Sequence, residues 1–342
     1  MRVLIVKTSS LGDVVHALPA LTDARAAIAD VSFDWVVEEA FSSIPSWHGA
    51  VVQVIPVALR RWRKAPFSKQ NRQQWHEFKH RIKNADYDLV IDAQGLWKSA
   101  WLTRLAHGTS HGFDRRSARE GLVSLSYDVA HQISRDKHAI ERVRELFAKA
   151  LNYPIPGQMP DYGISIGEQA GNAKQLVFLH GTTWPSKHWP ESYWQKMLDL
   201  ATNDGYQVYL PWGDDEERAR AERLAHDNDL ARVSPAMDLN GIASLLAGSA
   251  GAVAVDTGLG HLAAALSLPA VSIYGSTDPF LTGTRGSHQA QLKVDFECAP
   301  CLQRKCDYTK ISAVKPACYQ TLPPALVWEK LQQLINEKEK IK

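Results

Sequence analysis

Short β-branched apolar runs alternate with helical patterns along almost the whole chain, and the alternation breaks off once and then restarts. In the first stretch, residues 2–7, 33–37, 51–56 and 89–92 suit strands. Helical patterns run from the small-residue turn Ser9-Ser10-Leu11-Gly12 to about residue 28, and over residues 69–84, 97–107 and 138–150. Parallel strands cannot be joined by tight turns and need crossovers, which helices supply, so this pattern predicts a parallel sheet covered on both faces. The break is Tyr153-Pro154-Ile155-Pro156-Gly157-Gln158-Met159-Pro160, whose three prolines and one glycine read as a linker. Beyond it, strands are expected at 176–180, 206–211, 252–256 and 270–274, and helices at 190–203, 215–226, 238–247 and 259–267. A polar helix over 323–340 opens with Pro323-Pro324.

The predicted fold class is therefore α/β, with two Rossmann-like domains facing a central cleft. Residues 1–153 form the first domain and 161–322 the second. The segment 323–342 is a terminal helix expected to pack back on the first domain. A length of 342 residues suits two domains of ordinary size. No run of 18 apolar residues is present, and the apolar stretch after Met1-Arg2 is too short for a secretory leader, so the protein is expected to stay where it is made.

The net charge of +2 hides an asymmetry. Residues 1–150 carry 22 Lys and Arg against 16 Asp and Glu, while the rest of the chain carries 17 against 21. Positive charge is densest at Arg60-Arg61-Trp62-Arg63-Lys64, and residues 60–83 hold nine basic side chains against Glu77 alone. A charge run is ordinarily a solvated face. Arginine forks nevertheless match phosphate geometry, and an acidic second half argues against a surface that tracks nucleic acid. A compact polyanion or anionic lipid headgroups fit better.

In open α/β sheets ligands bind beyond the carboxyl ends of the strands, so the loops there carry the information. The first is Thr8-Ser9-Ser10-Leu11-Gly12-Asp13, without the GxGxxG dinucleotide fingerprint. Asp13 stands at a helix start, where it reads as a first-turn aspartate or as a carboxylate able to take a proton. In the second half, His180-Gly181-Thr182-Thr183-Trp184-Pro185-Ser186-Lys187 brings two hydroxyls and an ammonium group after a strand. Asp256-Thr257-Gly258-Leu259-Gly260-His261 opens a helix whose first N–H groups suit an anion. Together they point to a diphosphate site. His261 reads equally as a buried structural histidine.

The four cysteines, Cys298, Cys301, Cys306 and Cys318, fall late in the chain. Their spacing resembles zinc-ligand arithmetic, but only one CxxC is present and the second pair is irregular. Ordinary reduced thiols are the favoured reading over a structural zinc, and no cofactor or catalytic metal is expected.

Several of these segments, taken in order, resemble glycosyltransferase family 9, the lipopolysaccharide heptosyltransferases, which have the GT-B fold. The resemblance rests on Lys7-Thr8-Ser9-Ser10-Leu11-Gly12-Asp13, Asp34-Trp35-Val36-Val37-Glu38-Glu39, Arg60-Arg61-Trp62-Arg63-Lys64 and Ile91-Asp92-Ala93-Gln94-Gly95-Leu96. It continues through Lys187-His188-Trp189-Pro190, Leu210-Pro211-Trp212-Gly213 and Asp256-Thr257-Gly258-Leu259-Gly260-His261. The N-terminal half is similar to type I rather than type II members. The resemblance implies inverting transfer of heptose from ADP-L-glycero-β-D-manno-heptose to a Kdo sugar of Kdo2-lipid A, in inner-core biosynthesis. It implies Asp13 as general base and Lys187 on the donor phosphate. It also implies donor contacts at Thr182, Thr183, Met237, Asp256, Thr257, Gly258 and His261, with an acid of Asp214-Asp215-Glu216-Glu217 assigned to Glu216. Arg60, Arg61, Arg63, Lys64 and Arg119 would hold the acceptor's phosphates. Lys187 and a helix start can offset leaving-group charge, so no divalent metal is required. A monomer placed peripherally on the cytoplasmic side of the inner membrane is expected, with Trp62 and the basic face against an anionic surface. A family 9 transferase with another core acceptor, or a GT-B nucleotide-sugar epimerase, is the alternative.

Overall fold

A computed structural model describes residues 1–167 and 169–340, and the chain divides after Ser165 into two compact units. The first unit holds β1 (Arg2–Val6), β2 (Ser32–Glu38), β3 (Val51–Val57), β4 (Asp86–Asp92), β5 (His107–Phe113) and β6 (Val129–His131). These form one all-parallel sheet in the order β3-β2-β1-β4-β5-β6. The second unit holds β7 (Asn172–Leu179), β8 (Gln207–Leu210), β9 (Ala231–Val233), β10 (Ser249–Val255), β11 (Ala270–Tyr274) and β12 (Gln289–Lys293). Its order, β12-β11-β10-β7-β8-β9, is the same topology repeated, again all parallel.

Each sheet begins in its middle, with β1 or β7, and winds first to one side and then to the other. The winding reverses between β1 and β4 in one unit and between β7 and β10 in the other. At those two points the loops leaving neighbouring strands part and leave room for a ligand. The central strands are sealed as parallel strands must be: Val3, Leu4, Ile5 and Val6 of β1 are fully buried. Trp35, also fully buried, donates its indole N–H to the Lys7 carbonyl at 3.1 Å, which seats the first loop on the sheet. In the second unit Trp189 and Trp194 meet edge to face with centroids 5.1 Å apart beneath the loop that follows β7.

The proline-rich stretch is not a free linker. Arg144, on the helix Ala139–Leu151, donates to the carbonyls of Pro156 and Gln158 at 3.2 Å each. Ser165 N–H donates to the Trp47 carbonyl at 2.9 Å, and Ile164 bridges His48. Residues 154–165 thus belong to the first unit, and the division falls later than 153–161, because backbone carbonyls beside a buried guanidinium become its acceptors. The terminal helix Pro324–Glu339 belongs to the second unit and packs into its core. Its Val327, Leu331, Leu334 and Ile335 form an apolar stripe at helical spacing, and Trp328 meets Tyr206 edge to face at 5.7 Å. The last two residues of the 323–342 segment lie outside the described residues.

Arg144 also forms a buried ion pair with Asp23 of the helix Leu18–Ala27, at 2.6 and 3.2 Å. Removing one partner of such a pair leaves an uncompensated buried charge. We expect Asp23→Ala to cost about 3–5 kcal/mol and Asp23→Leu combined with Arg144→Met to cost markedly less. Urea unfolding of the full chain followed at the first unit measures both.

Candidate functional site

The first set of site residues grows from the β1–β4 reversal. Lys7 follows β1 and is buried, its ammonium donating to the Ala93 carbonyl at 2.8 Å. Burial pushes its pKa down, and the Asp13 and Asp92 carboxylates pull it back up. Gln94, from the loop after β4, accepts the Thr8 and Ser9 N–H groups on its Oε1 at 3.1 and 3.2 Å. Asp92 lies fully buried at the end of β4 and accepts from the Gln94 and Gly95 N–H groups and from the Tyr127 hydroxyl at 2.7 Å. Burial raises its pKa against those hydrogen bonds. The two loops are thereby laced into one rigid floor.

On that floor stands the short helix Leu11–Val15, with Asp13 at its third position. Asp13 Oδ2 accepts both the Ser10 N–H at 2.7 Å and the Ser10 hydroxyl at 3.1 Å, a capping box. The first-turn role is therefore real, and it fixes the carboxylate half-buried at the carboxyl end of β1. Lys98, on the helix Trp97–Thr103, donates to Ser9 Oγ at 2.8 Å. Burial lowers its pKa, with Glu38 and Asp13 opposing and Arg60 and Arg63 adding to the fall. Asp13 thus sits within the field of two lysines.

The expected phosphate-binding cations separate on inspection. Arg61 is committed: it makes a bidentate pair with Glu39 at 2.8 and 3.1 Å and donates to Asn71 and Gln74. It ties the helix Leu59–Lys64 to the helix Lys69–Lys83. Arg60 donates its backbone N–H to Glu38 and carries its guanidinium 5.6 Å over the Phe41 ring. Arg60, Arg63, Lys64 and Arg119 are exposed. Arg119 is close enough to Lys7 to depress its proton affinity.

The second set grows from the β7–β10 reversal. Lys187 Nζ pairs with Asp256 Oδ2 at 2.6 Å, and Thr277 Oγ1 donates to the same oxygen at 2.6 Å. Thr182 Oγ1 donates to the Asp256 carbonyl at 3.1 Å, which joins the loop after β7 to the loop after β10. The Lys187 ammonium also lies 4.7 Å over the Trp184 ring, with Arg304 on that ring at 5.8 Å. Thr183 is exposed beside them. Thr257 stands at the N-cap of the helix Gly258–Ala265, where the Gly260 N–H donates to the Thr257 carbonyl at 3.1 Å, and the Gly258 and Leu259 N–H groups are those a helix start leaves without an intrahelical acceptor. His261 is buried one turn in. An ammonium, hydroxyls and a helix start gathered around Asp256 make a site for a phosphorylated group. Met237 is half-buried just before Asp238, which caps the helix Leu239–Ala247.

Glu216 is 89% exposed and lies 3.9 Å from the Arg220 guanidinium. Its neighbour Glu217 turns inward, accepts the Gly213 N–H at 2.8 Å and lies against Gly181, where a Cβ would collide with its carboxylate. Burial raises the Glu217 pKa. The signal for it was in the sequence: Asp214 caps the helix Asp215–Ala225 and so puts Glu217 at the third helical position, where an acid folds back over the helix start. Cys298 and Cys306 are exposed, Cys301 is half-buried and Cys318 is buried, all as free thiols. Among the described residues no group of three or more His, Cys, Asp or Glu side chains is disposed to hold a metal.

Residues 75–312 match the model of glycosyltransferase family 9 (heptosyltransferase). The chain is 50% identical to lipopolysaccharide heptosyltransferase 1 of Pseudomonas aeruginosa over the full length of both. Among solved structures it resembles E. coli heptosyltransferase WaaC with ADP, at 46% identity and a TM-score of 0.87, covering 98% of this chain and 100% of that one. It also resembles the same enzyme with ADP-2-deoxy-2-fluoro heptose, at a TM-score of 0.82 over 99% and 100% of the two chains.

The contact of Glu217 with Gly181 is testable without any ligand. A methyl group at Gly181 must expel the carboxylate into water, so Gly181→Ala should return the raised Glu217 titration to the ordinary carboxylate range. Carbon-13 NMR of the Glu217 carboxyl against pH reads this directly, and an unchanged titration would place the carboxylate elsewhere.

Proposed function

Because the chain belongs to glycosyltransferase family 9, whose members are heptosyltransferases, we propose that it transfers heptose from ADP-L-glycero-β-D-manno-heptose to the Kdo of Kdo2-lipid A, with inversion. The observation that carries this reading is the pairing of Lys187 with Asp256 beside the helix start at Thr257-Gly258, on a chain this similar to an ADP-bound heptosyltransferase. The Asp13 side chain takes the proton of the acceptor hydroxyl. The acceptor oxygen then bonds to the anomeric carbon as the bond from that carbon to the diphosphate breaks, and ADP leaves with the electron pair. Lys187 and the first-turn N–H groups of the helix Gly258–Ala265 meet the charge that grows on the departing phosphate. Asp256 holds the Lys187 ammonium in place, and Thr277 holds Asp256.

The capping box leaves Asp13 with a fixed direction, which suits a base that must meet one hydroxyl. Lys7 and Lys98 lie within electrostatic reach of it. Glu217, Met237 and the hydroxyls of Thr182 and Thr183 suit the nucleoside and sugar of the donor. Arg60, Arg63, Lys64 and Arg119 suit phosphates on the acceptor. Among the described residues no helix is long and apolar enough to cross a membrane. We place the enzyme peripherally on the cytoplasmic side of the inner membrane, where such an acceptor is embedded.

Incubation with ADP-heptose and Kdo2-lipid A, followed by mass spectrometry, should show addition of one heptose. Transfer only to an acceptor that already bears heptose would overturn the assignment. Asp13→Asn keeps an acceptor oxygen for Ser10 and removes the base. It should lower turnover by at least about 100-fold while ADP affinity and melting temperature stay near those of the parent. A variant that keeps its rate would reduce Asp13 to a capping residue.

A further inference from the structure

The first unit carries an apolar surface that neither its core nor the proposed chemistry uses. Trp97 and Trp101 lie four residues apart on the helix Trp97–Thr103, hence on one face, and are 52% and 51% exposed. Leu122 and Leu125, 53% and 83% exposed, lie three residues apart on the turn Gly121–Ser126, where that spacing brings side chains into line. The helix and the turn are neighbours: Trp97 N–H donates to Glu120 at 2.7 Å, and Arg104 reaches the Ser126 carbonyl at 3.4 Å. Trp101 stacks on Trp75 with centroids 4.7 Å apart and planes 12° apart, which joins this surface to the helix Lys69–Lys83. Trp62, by contrast, is half-buried and donates its indole N–H to Gln74, so it belongs to the scaffold behind the surface rather than to the surface itself.

The rim of this surface is positive. Lys79 sits 5.4 Å over the Trp75 ring, and Arg104 is exposed at the end of the Trp97 helix. Arg63 and Lys64 are exposed on the helix Leu59–Lys64, whose Trp62 meets Trp75 edge to face at 5.8 Å. Glu120 is occupied in capping the Trp97 helix. Exposed tryptophans and leucines inside a ring of lysine and arginine match the two layers of an anionic bilayer surface: ring and aliphatic groups enter the headgroup boundary, and cations meet lipid phosphates. A patch of this kind on a monomer marks an interaction site.

We propose that Trp97, Trp101, Leu122 and Leu125 form a docking face that inserts into the headgroup region of an anionic membrane. The same helix places Lys98 on Ser9, next to Asp13, so docking through Trp97 and Trp101 presents the Asp13 loop to the bilayer surface. A lipid-borne acceptor can then react without leaving the membrane. This consequence rests on the acceptor proposed above, whereas the docking face itself stands on the surface alone.

The experiment uses the full chain and vesicles of phosphatidylethanolamine with phosphatidylglycerol, read by co-sedimentation and by quenching of tryptophan fluorescence with brominated acyl chains. The parent should bind these vesicles, and should bind neutral phosphatidylcholine vesicles at least 10-fold more weakly. Leu122→Ser with Leu125→Ser, which removes no side-chain hydrogen bond because leucine makes none, should lose at least 10-fold in vesicle binding, as should Trp97→Ser. Phe280→Ser, an exposed apolar residue of the second unit, should bind like the parent. On a water-soluble acceptor stripped of acyl chains, the docking variants should turn over like the parent. The proposal is overturned if the parent ignores anionic vesicles, if the docking variants bind them as well as the parent, or if the leucine pair instead turns a dimer into a monomer in sedimentation velocity. Loss of turnover on the soluble acceptor by those variants would also overturn it. Failure of the parent to transfer to any acceptor, with vesicle binding intact, would count against the transferase reading and leave the docking face standing.

Discussion

The placement of Asp13, Lys187 and Asp256 hangs on where two parallel sheets change direction. A parallel strand cannot return beside its predecessor without a crossover, and a sheet that starts in its middle must at some point send consecutive crossovers to opposite sides. In both units that point lies beside the first strand, between β1 and β4 and between β7 and β10. The loops there are not free to wander. Gln94 spans one gap by accepting two N–H groups from the loop opposite, and Thr182 spans the other by donating to the Asp256 carbonyl. Topology opens each gap, and a single polar side chain sets its width.

Both units then use the same local device to aim an acid. Asp13 and Glu217 each stand at the third position of a helix that starts near a strand end, and each turns back over the helix start to accept backbone N–H. An acid in that position complements the helix dipole, so its orientation costs little to maintain. The environments differ afterwards. Asp13 faces the charges of Lys7 and Lys98, while Glu217 is held against Gly181 and burial pushes it toward its neutral form. One capping rule thus yields two carboxylates of different character.

The elements that could be read from the sequence are those whose pattern is set by burial. The continuous apolar runs of β1, β4, β10 and β11, and the helical stripes of Ala139–Leu151 and Glu191–Asn203, stand within a few residues of where they are expected. β5 escaped because His107-Gly108-Thr109-Ser110-His111-Gly112-Phe113 has neither alternation nor apolar content. It is a strand because Gly108 and Gly112 let it lie against Tyr87 and Tyr127. β6, β9 and β12 are short or polar edge positions with equally little signal. At the candidate site, position was legible: Asp13, Lys187 and Asp256 were singled out for standing beyond strand ends, and that is where the chain carries them. What sequence alone could not resolve was side-chain commitment. Whether Arg61 reaches outward or spends itself on Glu39, Asn71 and Gln74, and whether Glu216 or Glu217 turns inward, depends on contacts between elements far apart in the chain.

The ion pair of Lys187 with Asp256 has a kinetic side. The ammonium already has an anion 2.6 Å away, and Thr277 keeps that anion from swinging out. On the proposed donor site, an arriving phosphate would therefore enter by exchange: it would take over part of a charge that is already neutralised, rather than capture a bare cation. Part of what the newcomer gains is offset by what the resident carboxylate gives up. When the newcomer departs, the ammonium is left with the Asp256 carboxylate that never moved away, so no isolated charge has to be exposed on the way out. A site built this way gives up some grip and releases its spent ligand more readily, which suits a catalyst whose leaving group must itself leave.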